Sequence, residues 1–166
     1  MFKIGDVVIY SASGVCRVED ICDKSFGSFS AKYYILKPLL QKSSTVFVPT
    51  QNSNLTSKMH TILSQEDFKS IFRSVSKKEP VRPESESERH DKFAEILESG
   101  NREALMLMVY DLHNFSHEQQ QNGRRLHIAD EKLLNTAENM LFEEIAYVFG
   151  IDKTAAPDFL KEQISL

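Results

Sequence analysis

The hydrophobic period of this chain changes once, near residue 64, and that change sets the class of fold. Before it, short β-branched and aromatic runs alternate with turns at residues 7–10, 15–21, 32–36 and 45–48, with 59–63 a fainter fifth. After it, apolar residues recur at helical spacing, starting with Phe68, Ile71, Phe72 and Val75. A run of strands followed by a run of helices predicts an α+β chain: a small N-terminal β-barrel, then an all-helical C-terminal domain.

The opening segment shows how tightly the strands are joined. Gly5-Asp6 supplies turn chemistry, because Gly accepts positive φ and Asp bonds neighbouring backbone. Residues 7–10 form a strand, 11–14 a second turn, and 15–18 resume the strand. Short bent strands joined in this way suit a barrel better than a flat sheet, and a module starting at residue 1 reads as an autonomous unit. Residues 25–30, containing Gly27, read as a hairpin loop, 42–44 as the next turn and 51–54 as loop. Pro49 closes the fourth run and predicts that its end lies at a sheet edge.

Beyond residue 64 the helix boundaries are spelled out by caps. Ser64 and Asp67 have capping-box spacing. Residues 76–83, with Pro80 and Pro83 and no apolar run, are the linker candidate. Ser85 or Ser87 caps a helix that turns Phe93, Ile96 and Leu97 inward and ends at Gly100. Asn101 caps the next, carrying Leu105, Met108, Val109 and Leu112, and Asn114 and Ser116 suggest where it ends. Residues 116–125 are polar and break at Asn122-Gly123. A long helix from about Ala129 carries Leu133, Leu134, Ala137, Leu141 and Ile145, and stops at Gly150. Pro157 fits the first turn of a last helix. The expected division is 1–63, then a helix and linker at 64–83, then a helical domain at 84–166.

Charge and chemistry narrow the function classes. Residues 1–82 hold twelve Lys and Arg against seven Asp and Glu, whereas 83–166 hold eight against seventeen. A broad basic field for polyanions is therefore excluded from the back half. The two cysteines, Cys16 and Cys22, are six apart and would share one strand face as reduced thiols, which suits a cytoplasmic protein. There is no secretory signal and no apolar stretch of membrane-spanning length. Catalytic patterns are missing: neither G-x-S-x-G nor a glycine-rich phosphate loop occurs. His113 and His117 are followed by Glu118, which lies outside the pair rather than inside it as in a zinc helix. Glu143 and Glu144 point about 100° apart on a helix and cannot form a dyad. No cofactor, metal or small-molecule substrate is expected.

The stretch from Phe2 to Tyr10 with Gly14 and Val18 resembles the opening of the CarD/CdnL family of bacterial transcription regulators. Tyr34-Ile35-Leu36, Val46-Phe47-Val48-Pro49, Glu98-Ser99-Gly100-Asn101 and the helix from Leu133 to Ile145 are similar to later family motifs in the same order. The resemblance implies that the barrel is a Tudor/SH3-like RNA polymerase interaction domain, shared with transcription-repair coupling factors, that binds the polymerase β subunit. It also implies a helical domain that lies against promoter DNA and stabilises the open complex, with no catalysis. Carried over by position, Lys24 is the basic residue facing the polymerase, Phe26 an apolar contact, and Phe47 stands where the family has an arginine. At the family's wedge tryptophan this chain has Glu86, and it contains no Trp. The adjoining basic positions are kept only in part, as Arg89 and Lys92. Independently of the family, Arg124 and Arg125 with His127 form a basic cluster that is either a phosphate contact or a solvated loop. Two other readings stay open: an SH3-like adaptor with a non-polymerase partner, and a KOW-like RNA-binding module, the latter requiring exposed aromatics beside Arg or Lys.

Overall fold

The computed structural model describes residues 1–40, 44–79, 82 and 85–164. The chain divides into two compact units, Met1–Ile62 and Leu63–Leu166. Lys42 and Ser43 of the predicted turn at 42–44, and Pro80, Val81 and Pro83 of the predicted linker, lie outside the described residues.

In the first unit five strands are described: β1 (Val7–Tyr10), β2 (Val15–Phe26), β3 (Phe29–Pro38), β4 (Val46–Pro49) and β5 (Met59–Thr61). They form one antiparallel sheet in the order β4-β3-β2-β1-β5. In a flat sheet the two outermost strands would stand about 19 Å apart, four spacings of ~4.8 Å. Here Val48 of β4 and Met59 of β5 share one core with Val8, Val18 and Leu36. The sheet therefore curls around its inner face, as the barrel reading requires. The opening turn is tied down by Gly5 N–H to Val18 O at 2.8 Å and Val18 N–H to Asp6 O at 2.8 Å. Asp6 accepts from the upstream Lys3 amide at 2.7 Å. After a 3-10 turn at Ser11–Ser13, Gly14 sits at φ 68°, ψ −145°, a conformation essentially reserved for glycine.

Three local expectations differ from the structure. The hairpin loop is tighter than 25–30: β2 and β3 run on to Phe26 and Phe29, leaving only Gly27-Ser28 as the turn. Residues 51–54 are not all loop, because Asn52 caps a short helix α1 (Ser53–Thr56) by accepting from Leu55 N–H. Cys16 and Cys22 do not share a face. A register shift between Val18 and Asp20 inserts one residue, so strand parity reverses. Cys16 is buried in the core, while Cys22 pairs with Tyr33 on the outer face.

The second unit contains α2 (Gln65–Val75), α3 (Glu86–Ser99), α4 (Arg102–Gln121), α5 (Ile128–Phe149) and α6 (Ala156–Ile164). Ser64–Asp67 and Ser85–Glu88 are both reciprocal capping boxes, and Asn101 accepts from Ala104 N–H. Helix α4 does not end near Ser116: its polar Gln and Glu are good helix formers and continue it to Gln121. Phe68 and Phe72 of α2 are buried against Phe149 of α5, Phe68 edge to face and Phe72 stacked; Phe159 of α6 closes the cluster, its ring 4.8 Å from Phe149. Helix α2 is thus part of the helical core.

The predicted linker is docked where it is described. Arg82 donates to Asp111 at 3.0 Å and, through both terminal nitrogens, to Glu118 at 3.0 and 3.3 Å. Its guanidinium lies 4.5 Å from the Phe115 ring centre. Asp111, Phe115 and Glu118 form one face of α4, so Arg82 clasps two turns of that helix. Its hydrogen bonds to Glu118 and Asp111, working against partial burial, raise its pKa further.

Candidate functional site

The outer face of the β2–β3–β4 sheet gathers the three residues expected to meet a partner. The shift at Glu19 sends Cys22, Lys24 and Phe26 outward, opposite Tyr33, Ala31 and Phe29. Phe47 opposes Ile35 on the same face, since Val46 and Val48 alternate toward the core. Phe26 and Phe47 lie 5.8 Å apart, centre to centre, at 77°. Both also meet Tyr33 edge to face, at 5.5 and 6.5 Å. Phe26 stays 52% exposed and Phe47 42%, whereas Tyr33 is buried. The tyrosine is therefore a fixed platform that orients two open aromatic faces. Position alone did not pick out Tyr33; its signal was membership of the run 32–36 opposite Cys22, which needed the bulge to be known.

Two strand edges flank this cluster. Among the described residues β4 pairs only with β3, leaving its far edge open. Among the described residues strand β1 pairs with β2 only at residues 15–17, and no strand covers the edge of the distal half of β2, with Lys24 and Phe26. Lys24 is exposed, and no ion pair of it occurs among the described residues. The Cys22 thiol is raised above its usual pKa, first by its hydrogen bond with Asp20 and then by burial. A thiol held protonated is a poor nucleophile, so it reads as part of the surface rather than as chemistry.

The residues expected near DNA are not all on the surface. Arg89 is not a surface cation. It is 8% exposed and grips Asp130, itself fully buried, with Nε–Oδ1 at 2.8 Å and Nη2–Oδ2 at 2.7 Å. That bond is the main cause raising the Arg89 pKa. Its guanidinium also lies 5.3 Å from the Phe115 ring centre, so Phe115 faces both Arg82 and Arg89. The Ser85 cap sets the phase of α3 so that Arg89, Phe93 and Ile96 fall on the buried stripe. That i, i+4, i+7 spacing was visible in the sequence. Lys92 is exposed and pairs with Glu95 at 2.8 Å. Glu86 begins α3 and has a carboxylate oxygen 3.7 Å from His127 Nδ1, which brings the starts of α3 and α5 together. Arg124 and Arg125 are exposed in the connection just before His127.

Charged groups of the interior have structural partners instead. Glu144 accepts from Arg102 Nε at 2.8 Å and Nη2 at 3.1 Å, and from the Leu63 amide at 3.1 Å. Glu143 takes Lys153 at 2.9 Å. The two carboxylates diverge, as adjacent helical residues must, yet both are fully buried. His113 meets Glu138 at 2.6 Å and His117 meets Gln121 at 3.1 Å, so the two histidines do not converge. Among the described residues no group of three His, Cys, Asp or Glu is placed to hold a metal ion. No helix described is long and apolar enough to cross a membrane.

Comparison with known proteins matches this two-unit layout. The family model for the CarD-like/TRCF RID domain matches residues 2–62, and that for the CarD C-terminal domain matches residues 70–161. The protein named "Putative transcription factor YdeB" of Bacillus subtilis (strain 168) is 24% identical over 159 residues. That alignment covers 96% of this chain and 99% of the relative.

Proposed function

The chain belongs to the CarD-like family, and from that premise we propose that its strand unit docks on the β subunit of RNA polymerase while its helical unit modulates the open promoter complex. At family level such chains are transcription regulators that interact with RNA polymerase. The observation that carries the finer reading is the pair of open aromatic faces, Phe26 and Phe47, braced by Tyr33 beside two uncovered strand edges. Large aromatics held rigid before binding lose little entropy and serve as interface anchors. An open edge offers main-chain hydrogen bonds to a partner strand, and Lys24 on the same face favours an acidic one.

Regulation by binding alone needs only differential affinity. A contact set that favours the open complex by about 1.4 kcal/mol shifts the closed–open ratio tenfold. On the helical unit, Lys92 is the exposed cation among the residues carried over, Arg124 and Arg125 are exposed cations singled out independently of the family, and Arg89 is withdrawn by Asp130. With Glu86 where the family has its wedge and no Trp in the chain, the promoter contact we propose is weak. The test is retention of the intact chain on the matching β-subunit lobe. Wild type binds and Lys24→Glu weakens binding at least roughly tenfold. No retention of wild type, or retention of RNA in place of the lobe, would overturn this reading.

A further inference from the structure

The helical unit holds a cavity that neither polymerase docking nor a promoter contact uses. About 260 Å³ of space lies between α3, α4 and α5, entirely within Leu63–Leu166. Its apolar wall is Ile96 of α3, Ala104, Leu107, Met108 and Leu112 of α4, and Leu133 of α5. The four α4 residues share one helix face, so the wall follows from helical spacing. Ala104 is the one small side chain of the six, and a longer one there would fill the space. Leu107 and Met108 are half-buried, while Lys92 and Glu79 are exposed, so the cavity opens to solvent at a charged rim.

Two of the four charged side chains on this cavity are matched internally, Arg89 by Asp130 and Asp111 by Arg82. The other two have opposite signs and stand at the rim. Among the described residues Lys92 pairs only with Glu95, an exposed contact three residues on, and such pairs contribute little. Glu79 has no ion pair among the described residues. We infer that the cavity binds a free amino acid with a large apolar side chain, of the size of phenylalanine. The apolar side chain fills the space between the helices, the carboxylate meets Lys92 and the ammonium meets Glu79. A purely anionic amphiphile would face Glu79 and a purely cationic one Lys92, so the rim selects a zwitterion. Volume sets the size. A cavity of about 150 Å³ takes the six carbons of benzene, so this one takes about ten heavy atoms. Phenylalanine without its two carboxylate oxygens is that large. The pliable Met108 thioether adapts to an aromatic ring. The described lining has no Ser, Thr, Cys or His, so the site holds its ligand rather than attacking it. Lys24, Phe26 and Phe47 belong to the other unit, and the site does not depend on the docking reading.

The experiment is a titration of L-phenylalanine into the full chain carrying 13C-methyl methionine, followed by methyl NMR up to about 10 mM, tenfold above a Kd of ~1 mM. The Met108 methyl signal, assigned with Met108→Leu, should shift and saturate, while those of Met1 and Met59 in the strand unit stay in place. Phenylpropionate, which lacks the ammonium, and phenethylamine, which lacks the carboxylate, should each bind about fivefold more weakly, as should phenylalanine to Glu79→Gln and to Lys92→Gln. Ala104→Leu should abolish the saturable shift with the melting temperature unchanged or raised. Should Ala104→Leu melt lower, the two charge variants, both at exposed positions, carry the test alone. No saturable Met108 shift in the wild type, a shift that persists in folded Ala104→Leu, or both single-charge analogues binding as tightly as phenylalanine would each overturn the inference.

Discussion

At the scale of single residues, charge type was a poor guide to location. Arg89, Arg102, Asp130, Glu143 and Glu144 are all buried, and each charge is matched inside the helical unit. Among the described residues no buried side-chain N or O lacks a partner. The apolar stripe of α5 was legible in the sequence, but the burial of its carboxylates was not, because a buried carboxylate shows itself only through a distant partner such as Arg102. Removing one member of such a pair leaves the other charged and desolvated. Glu144→Ala should therefore cost about 3–5 kcal/mol of unfolding free energy in urea titrations. A loss below about 1 kcal/mol would mean the pair contributes nothing. Glu86 makes the opposite case: it is half exposed, at the start of α3, and supports no core contact. Glu86→Trp should lengthen the lifetime of open complexes formed with this protein on a cognate promoter, and an unchanged lifetime would mean that position 86 does not face the DNA.

At the scale of elements, caps were legible and bulges were not. Ser64, Ser85, Asn101 and Gly150 act as their types predict, because capping is a local exchange between a side chain and the next turn. The shift between Val18 and Asp20 has no such local marker, and it decides whether Cys22, Lys24 and Phe26 together face outward. Two caps and two ion pairs between elements predict a pH dependence. Asp67, Glu103, Glu118 and Asp152 are each held below the ordinary carboxylate range, chiefly by Ser64, Lys78, Arg82 and Thr154 respectively. A depressed folded pKa means the unfolded chain binds more protons on acidification. Their stabilisation is complete above the usual carboxylate values and is lost as pH falls through the folded ones. Urea midpoints should be level from about pH 7 to about pH 5 and fall below about pH 4. Equal midpoints at pH 6 and pH 3 would contradict this.

At the scale of the whole molecule, two units divide at Ile62–Leu63, and α2 belongs with the helices because Phe68 and Phe72 are buried against Phe149 and Phe159. A fragment starting at Leu63 should melt cooperatively, whereas one starting at Ser85 should lose several kcal/mol or fail to fold, since two buried Phe are removed. Equal melts would place α2 outside the core. For the strand unit, the order of turns and strands was readable from the first eighteen residues onward, and the face proposed to dock was not. It needed Lys24, Phe26 and Phe47 to be brought onto one side of a curled sheet and Tyr33 to be found beneath them. The most direct test of polymerase docking is calorimetric titration of the isolated β-subunit lobe into the intact protein and into a Phe26→Ala, Phe47→Ala variant. With two aromatic anchors worth about 2 kcal/mol each, the variant should bind several hundred-fold more weakly at unchanged stability of the helical unit. Affinities within twofold of each other would contradict the account.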